Sequence, residues 1–344
     1  MKANQKQAVG KHGLEVTQMG LGGTGFGNMY EAMNEQEGID TLGAARDGGI
    51  GYIDTAPLYG FGLSETRIGI ALSAHGRENF VISTKVGYTL EERTSDEPHK
   101  APFVDAPPLD AIHDYSRDAV LRSIDQSLER LQTDHIDIIL IHDPDEGATL
   151  WSPGADPFAV SHFADVMEHT YPVLDELRSQ GTIKAVGLGM NQWQMLAEFA
   201  KAGDFDCFLL AGRYTLLEQE PLDSFLPLCT ERDIRIIVGG PYNSGILATG
   251  AIEGAHYNYG EAPPEILKRV RGIETICSRH GVPLQAAALQ FPFGHPAIAT
   301  IIPGARSVKE IRTNVDYFEH AIPNDFWSEL KAESLLAGET PVPR

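Results

Sequence analysis

Four side chains in the first half of the chain have types and an order that could move a proton: Asp54, Tyr59, Lys85 and His142. A free tyrosine has a pKa of about 10 and is a poor base near neutral pH. A lysine ammonium beside the phenol favours the tyrosinate and lowers that pKa, and an aspartate buried beside the ammonium keeps it charged and aimed. On this reading Tyr59 exchanges a proton with a substrate oxygen, Lys85 is the cation and Asp54 its anchor. His142 hydrogen-bonds the same oxygen and fixes its direction, which is positioning rather than proton supply. Taken singly, each residue has an ordinary role: an aspartate before a turn caps, a strand lysine snorkels, and a strand-end histidine is often just hydrogen-bonded. Their joint recurrence at successive strand ends points to chemistry.

For these residues to meet, their strands must be arranged in a ring. Short apolar runs of β type alternate with stretches of helical period almost to the end, at 16–21, 51–54, 80–85, 136–141, 183–188, 205–210, 234–238 and 299–302. Eight such units predict a closed parallel (β/α)8 TIM barrel, one domain over residues 1–344. Ser116 reads as the start of a helix whose apolar positions 120, 121, 124, 128 and 131 form one buried face. A second helix runs from near Ser64 to Leu72, with Gly76 as its stop. The stretch 88–115 lacks clear period and carries Pro98, Pro102, Pro107 and Pro108, so it reads as a long loop after the third strand, placed to cover substrate. The run Gly20-Leu21-Gly22-Gly23-Thr24-Gly25 matches G-x-G-x-x-G, but no helix follows it directly. It reads instead as a first barrel strand whose loop lets backbone approach a cofactor.

Bulk properties narrow the classes further. Hydrophobic residues at 42% supply a core, and 27 Lys and Arg against 48 Asp and Glu give a formal charge of −21. Such a surface repels nucleic acid and anionic membranes, so neither is expected as a partner. Cys207, Cys229 and Cys277 are sparse and lack metal-ligand spacing, which argues against disulfides and zinc and fits a reducing cytoplasm. No segment approaches the ~20 apolar residues of a membrane span, and the N-terminus lacks the apolar stretch of a signal peptide.

The segment Asp54-Thr55-Ala56-Pro57-Leu58-Tyr59-Gly60, with Ser83-Thr84-Lys85-Val86-Gly87 and Leu140-Ile141-His142-Asp143-Pro144-Asp145, resembles the aldo-keto reductase signature. The resemblance implies a TIM barrel with an N-terminal β-hairpin and long βα loops, and a catalytic set of Asp54, Tyr59, Lys85 and His142. It also implies a nicotinamide cofactor, gripped near the end of the chain by Gly304, Arg306, Glu310 and Asn314, with the helix start near Ser307 open to phosphate. Glu310 stands where many NADPH-preferring relatives carry arginine, which implies NAD in preference to NADP.

Other family positions depart from the usual pattern. The Ser-Asn pair after strand five is here Met190-Asn191, and the strand-six glutamine gives way to Leu210-Ala211-Gly212-Arg213-Tyr214. The aromatic after strand seven falls within 238–245, so Asn191, Tyr242, Asn243, Ser244, Gly245 and Leu247 are taken as cofactor contacts. His-Asp-Pro-Asp, Gly-Met-Asn-Gln-Trp and Ala-Gly-Arg-Tyr-Thr-Leu-Leu resemble the aldose 1-dehydrogenase branch, which includes L-fucose, D-threo-aldose, L-galactose and pyridoxal 4-dehydrogenases. That implies oxidation of a sugar hemiacetal at C1 to the lactone, with Tyr59 as base. Phe26, Tyr30, Tyr88, Met190, Trp193 and Tyr257 or Tyr259 are the candidate sugar contacts, since sugars bind against aromatic faces. Alternatives are a pyridoxal dehydrogenase, a general aldehyde or ketone reductase, and a non-catalytic nicotinamide-binding regulatory subunit. The sequence gives no reading of oligomeric state.

Overall fold

A computed structural model describes residues 1–94, 102–147, 156 and 158–343. Eight parallel strands carry the fold: β1 (Leu21–Gly22), β2 (Tyr52–Asp54), β3 (Val81–Val86), β4 (Ile138–His142), β5 (Ala185–Met190), β6 (Cys207–Ala211), β7 (Arg235–Gly239) and β8 (Ile298–Ile302). Each pairs with its neighbour in chain order. The ring closes between the first and last strands through Gly20 N to Ile301 O (2.8 Å), Ile301 N to Gln18 O (3.0 Å) and Gly22 N to Pro303 O (3.2 Å).

Side chains on a strand alternate between faces, and here both faces are apolar, as a barrel inside a ring of helices requires. Ile138, Leu140, Ala185, Cys207, Leu209, Ile237 and Ala299 pack inside the barrel with Val9, Leu14 and Val16 of an N-terminal hairpin. Ile139, Ile141, Val186, Leu188, Phe208, Leu210, Ile236 and Val238 belong to the larger core under the helices. The helices start where their sequence says: Ser116 caps Arg117–Leu131, accepting from Ala119 N at 3.4 Å, and the helix Leu63–His75 ends at Gly76. Among the described residues no helix is long and apolar enough to cross a membrane.

Two expectations need correction. The run 16–21 is not one strand. Leu14–Thr17 pairs antiparallel with Lys6–Val9 in the hairpin, and only Leu21–Gly22 enters the barrel, because the chain changes partners between Thr17 and Gly20. The stretch after β3 is not a plain loop either: Tyr88–Glu92 and Leu109–His113 form an antiparallel ribbon, with Tyr88 opposite His113 and Glu92 opposite Leu109. One side of this ribbon is solvated, with Ile112 45% exposed, so neither strand shows an apolar run. Pro98 lies outside the described residues.

Candidate active site

The alternation that fills the barrel also aims its mouth. On β2, Tyr52 points inward, so Asp54 does too; on β3 the inward positions are Ser83 and Lys85; on β4 they are Ile138, Leu140 and His142. Three side chains from adjacent strand ends therefore converge without any special loop. Tyr59 joins them from the turn after β2, where Gly60 adopts a φ of 64°.

Lys85 Nζ is the hub. It donates to Asp54 Oδ2 at 2.7 Å, to Thr55 O at 2.9 Å and to the Tyr59 hydroxyl at 3.0 Å. Ser83 Oγ donates to the other oxygen of Asp54 at 2.7 Å, and the Tyr52 hydroxyl lies 2.8 Å from Ser83 Oγ. Lys85 and Asp54 are both buried, with side chains 1% and 2% exposed. Space for the lysine comes from Gly189 on β5, where a Cβ would stand 3.3 Å from Lys85 Cε.

Burial raises the pKa of Asp54, with Lys85 and Ser83 pulling the other way. Lys85 is held above the usual lysine value: burial lowers it, and Asp54 and Tyr59 together outweigh that. Tyr59 departs from the sequence expectation. Lys85 does draw the phenol down, but burial is stronger and the net position rises to about 12. His142 is driven well below 6.5, first by burial and then by the Lys85 charge, so it is a neutral imidazole. Its Nδ1 is buried with no hydrogen-bond partner among the described residues, and its ring meets that of Tyr59 edge-on at 5.9 Å.

These groups sit at the inner end of a cleft. The inner chamber, about 100 Å³, is lined by Tyr59, Lys85, His142, Asp143, Met190 and Asn191. It opens into a channel of about 640 Å³ that runs past Gly212, Gly240 and Tyr242–Gly245 to Gly304, Arg306 and Glu310. The channel walls suit an extended dinucleotide. A Cβ on Gly245 would meet nothing within 4 Å, so backbone is open there, and Asn243 Oδ1 is buried beside the channel without a partner among the described residues. Arg306 supplies one cation, paired with Glu31 at 2.7 Å.

Of the cofactor candidates, Tyr242, Asn243, Ser244, Gly245, Gly304, Arg306 and Glu310 line the channel, and Asn191 lines the chamber. Asn191 is fixed there by donating to Ala211 O (2.8 Å) and the Tyr259 hydroxyl (3.0 Å). Leu247 does not reach the channel: its side chain is core. Asn314 stands behind it, accepting from the Tyr242 hydroxyl at 2.7 Å.

Of the sugar candidates, Met190 lines the chamber and Tyr30, 64% exposed, flanks the channel mouth. Phe26 packs instead against Gly38 under the helix Glu35–Asp47. Trp193 opens the helix Trp193–Ala202 and packs towards Phe225, and Tyr257 turns away to donate to Glu218. Tyr88 is a supporting ring, buried with its centroid 5.2 Å from that of His142. Tyr259, the alternative to Tyr257, lines both chamber and channel. Asp143, Met29, Leu58 and Phe103 also line the chamber and were not singled out by sequence. Asp143 lies within the His-Asp-Pro-Asp motif, and its acidic type beside His142 was the available signal.

Comparison with known proteins agrees with this fold. The profile of the aldo/keto reductase family matches residues 18–334. The pyridoxal 4-dehydrogenase of Microbacterium luteolum is 39% identical over 348 residues, covering 98% of this chain and 99% of that protein. The D-threo-aldose 1-dehydrogenase of a Pseudomonas species is 34% identical, covering 97% and 99%. Among solved structures, an aldo-keto reductase from Bacillus halodurans superposes with a TM-score of 0.73 at 22% identity over 99% of this chain and 98% of that one, a likeness of fold.

Proposed function

This chain belongs to the aldo/keto reductase family and is an NAD(P)-dependent oxidoreductase, and from that premise we propose that residues 1–344 work as one catalytic barrel oxidising an aldose at C1 to its lactone. The observation that carries this reading is the bridge of Lys85 Nζ between Asp54 and the Tyr59 hydroxyl at the inner end of the cleft. The channel residues Tyr242, Asn243, Ser244, Gly245, Gly304 and Arg306 would hold an oxidised nicotinamide cofactor, which would supply the hydride acceptor. Tyr59, as phenolate, takes the proton of the C1 hydroxyl as C1 loses its hydrogen and the carbon–oxygen bond becomes a carbonyl. The balance is hemiacetal plus NAD(P)+ to lactone plus NAD(P)H and a proton. Lys85 stabilises the phenolate, and Asp54 holds the ammonium in place. Neutral His142 donates a hydrogen bond to the reacting oxygen and orients it. In the reductive direction Tyr59 returns the proton to a carbonyl oxygen.

Pyridoxal is the second substrate reading, favoured by the 39% identity to a pyridoxal dehydrogenase. It also closes to a cyclic hemiacetal, so the same proton path serves it. NAD is the proposed preference, because Glu310 lines the far end of the channel and its charge opposes a 2′-phosphate. Steady-state assays of aldoses, pyridoxal and simple aldehydes with NAD+, NADP+ and their reduced forms test all of this. Turnover of pyridoxal alone would displace the sugar reading. Tight cofactor binding with no turnover would favour a regulatory nicotinamide-binding role.

A further inference from the structure

One more ionisable group faces the reacting end of the cleft. Asp143 follows His142 at the end of β4, is buried, and lines the chamber with Tyr59, Asn191 and Tyr259. Its φ of 42° lies in the left-handed region, which aspartate adopts more readily than most residues. Its main chain is pinned from three sides. Asp143 N donates to Gly189 O at 3.1 Å, and Asp143 O accepts from Glu146 N and from the Tyr115 hydroxyl, both at 2.8 Å. The backbone is thus committed to a conformation that turns a carboxyl into the chamber.

Burial, and then the neighbouring Asp145, push that carboxyl well above the usual carboxylate range, with Lys85 and Tyr88 drawing it the other way. A carboxyl offers about four lone-pair positions, and burying one is costly unless donors meet them. Asp143 Oδ2 stands 3.6 Å from His142 Nε2, too far for a good hydrogen bond but a span of the same order as that between oxygens on adjacent carbons. An imidazole donor and a carboxyl acceptor side by side match a reacting oxygen and the hydroxyl next to it. We propose that Asp143 is a specificity-determining residue that accepts a hydrogen bond from a hydroxyl on the carbon beside the reacting one, selecting α-hydroxy carbonyl compounds and their hemiacetals. This rests on the reading of Tyr59 and His142 as partners of the reacting oxygen. It also separates aldoses from pyridoxal, whose reacting carbon is attached to a ring carbon bearing no hydroxyl.

The test compares kcat/KM within substrate pairs that differ by that hydroxyl: an aldose and its 2-deoxy form with NAD(P)+, and glycolaldehyde and acetaldehyde with NAD(P)H. The wild type should favour the hydroxylated member by roughly 5–100-fold, the cost of leaving a buried polar group without its hydrogen-bond partner. Asp143→Gly, which accepts the left-handed backbone without strain, should bring both ratios within about threefold of unity. Asp143→Asn keeps an acceptor and the backbone preference, and should give an intermediate ratio even if the glycine variant folds poorly. A wild-type ratio near one, or a ratio unchanged in both variants, would overturn the proposal. Discrimination within the aldehyde pair without turnover of any aldose would keep Asp143 in this role while removing the sugar reading.

Discussion

In the proposed reaction Tyr59 stands between two influences whose balance decides which direction of chemistry is easy. Burial pushes the phenol up to about 12 while the Lys85 ammonium, 3.0 Å from its oxygen, draws it down. Oxidation needs the phenolate, whose fraction grows with pH below that value; reduction needs the phenol, which is already present at neutral pH. Oxidative kcat/KM should therefore climb between pH 6 and 9 while reductive kcat/KM stays flat or falls. Tyr59→Phe keeps the ring and removes the proton site, so turnover should fall by roughly 10²–10⁴-fold and the pH slope should vanish, with cofactor affinity by fluorescence titration little changed. A phenylalanine variant retaining wild-type turnover would remove Tyr59 from the role. Lys85→Met should cost stability as well, because it strands the buried Asp54 without its cation. Breaking a buried pair costs about 3–5 kcal/mol, much of it from the uncompensated charge. Urea unfolding should show that loss in the single variant and a partial recovery when Asp54→Asn is added; equal losses in both would show that the stranded charge is not the cause.

Strand alternation brings Asp54, Lys85 and His142 together, but Tyr59 depends on how two loops meet. Gly27, after β1, lies so close to the turn after β2 that a Cβ would stand 2.6 Å from the Tyr59 carbonyl carbon and 2.8 Å from Gly60 N. Those are backbone atoms, so an added methyl must move the turn. Gly27→Ala should cost about 1–3 kcal/mol in thermal unfolding and lower kcat by more than about tenfold, since small misplacements of a reacting group are expensive. Wild-type kcat would show that the turn yields without moving the phenol. The barrel itself was legible from sequence because seven of the eight runs are short, rich in apolar residues and stand between helical stretches, which located each strand to within a residue or two. The eighth, 16–21, joined a hairpin strand to a barrel strand of the same apolar character. The ribbon of Tyr88–Glu92 and Leu109–His113 stayed hidden because its halves are far apart in sequence and its open side is solvated. Of the proposed proton-transfer set, Asp54, Lys85 and His142 could be read because they end regular strands, and Tyr59 because it shares a motif with Asp54. Asp143 could not, since it reaches the cleft through a positive φ of 42°, whose direction tertiary packing sets; for the same reason, at a φ of 65°, the sequence offered Tyr259 only as an alternative to Tyr257.

Charge acts on the molecule as a whole, and with a formal −21 it works against an anionic cofactor before any contact forms. The far end of the channel reinforces this. Arg306, the cation there, is paired with Glu31 at 2.7 Å, and Glu310 lines the same wall. Glu310 is also tied into its helix start: its carboxylate accepts from Arg306 N at 2.8 Å, and its own N donates to Ser307 Oγ at 3.2 Å. This is a capping arrangement, so Glu310→Arg should cost about 0.5–2 kcal/mol of stability as well as reversing a charge. A cleaner reading comes from ionic strength. NADP+ carries a 2′-phosphate that NAD+ lacks, so it should suffer more from the protein's field and gain more when salt shortens the screening length from about 30 Å at 0.01 M to about 10 Å at 0.1 M. Over that range kcat/KM for NADP+ should rise more than that for NAD+, by up to roughly tenfold. The gap should narrow in Glu310→Arg, where one local repulsion becomes attraction. If both cofactors respond alike in the wild type, the far end of the channel does not hold the adenosine ribose, and the NAD preference argued from Glu310 fails with it.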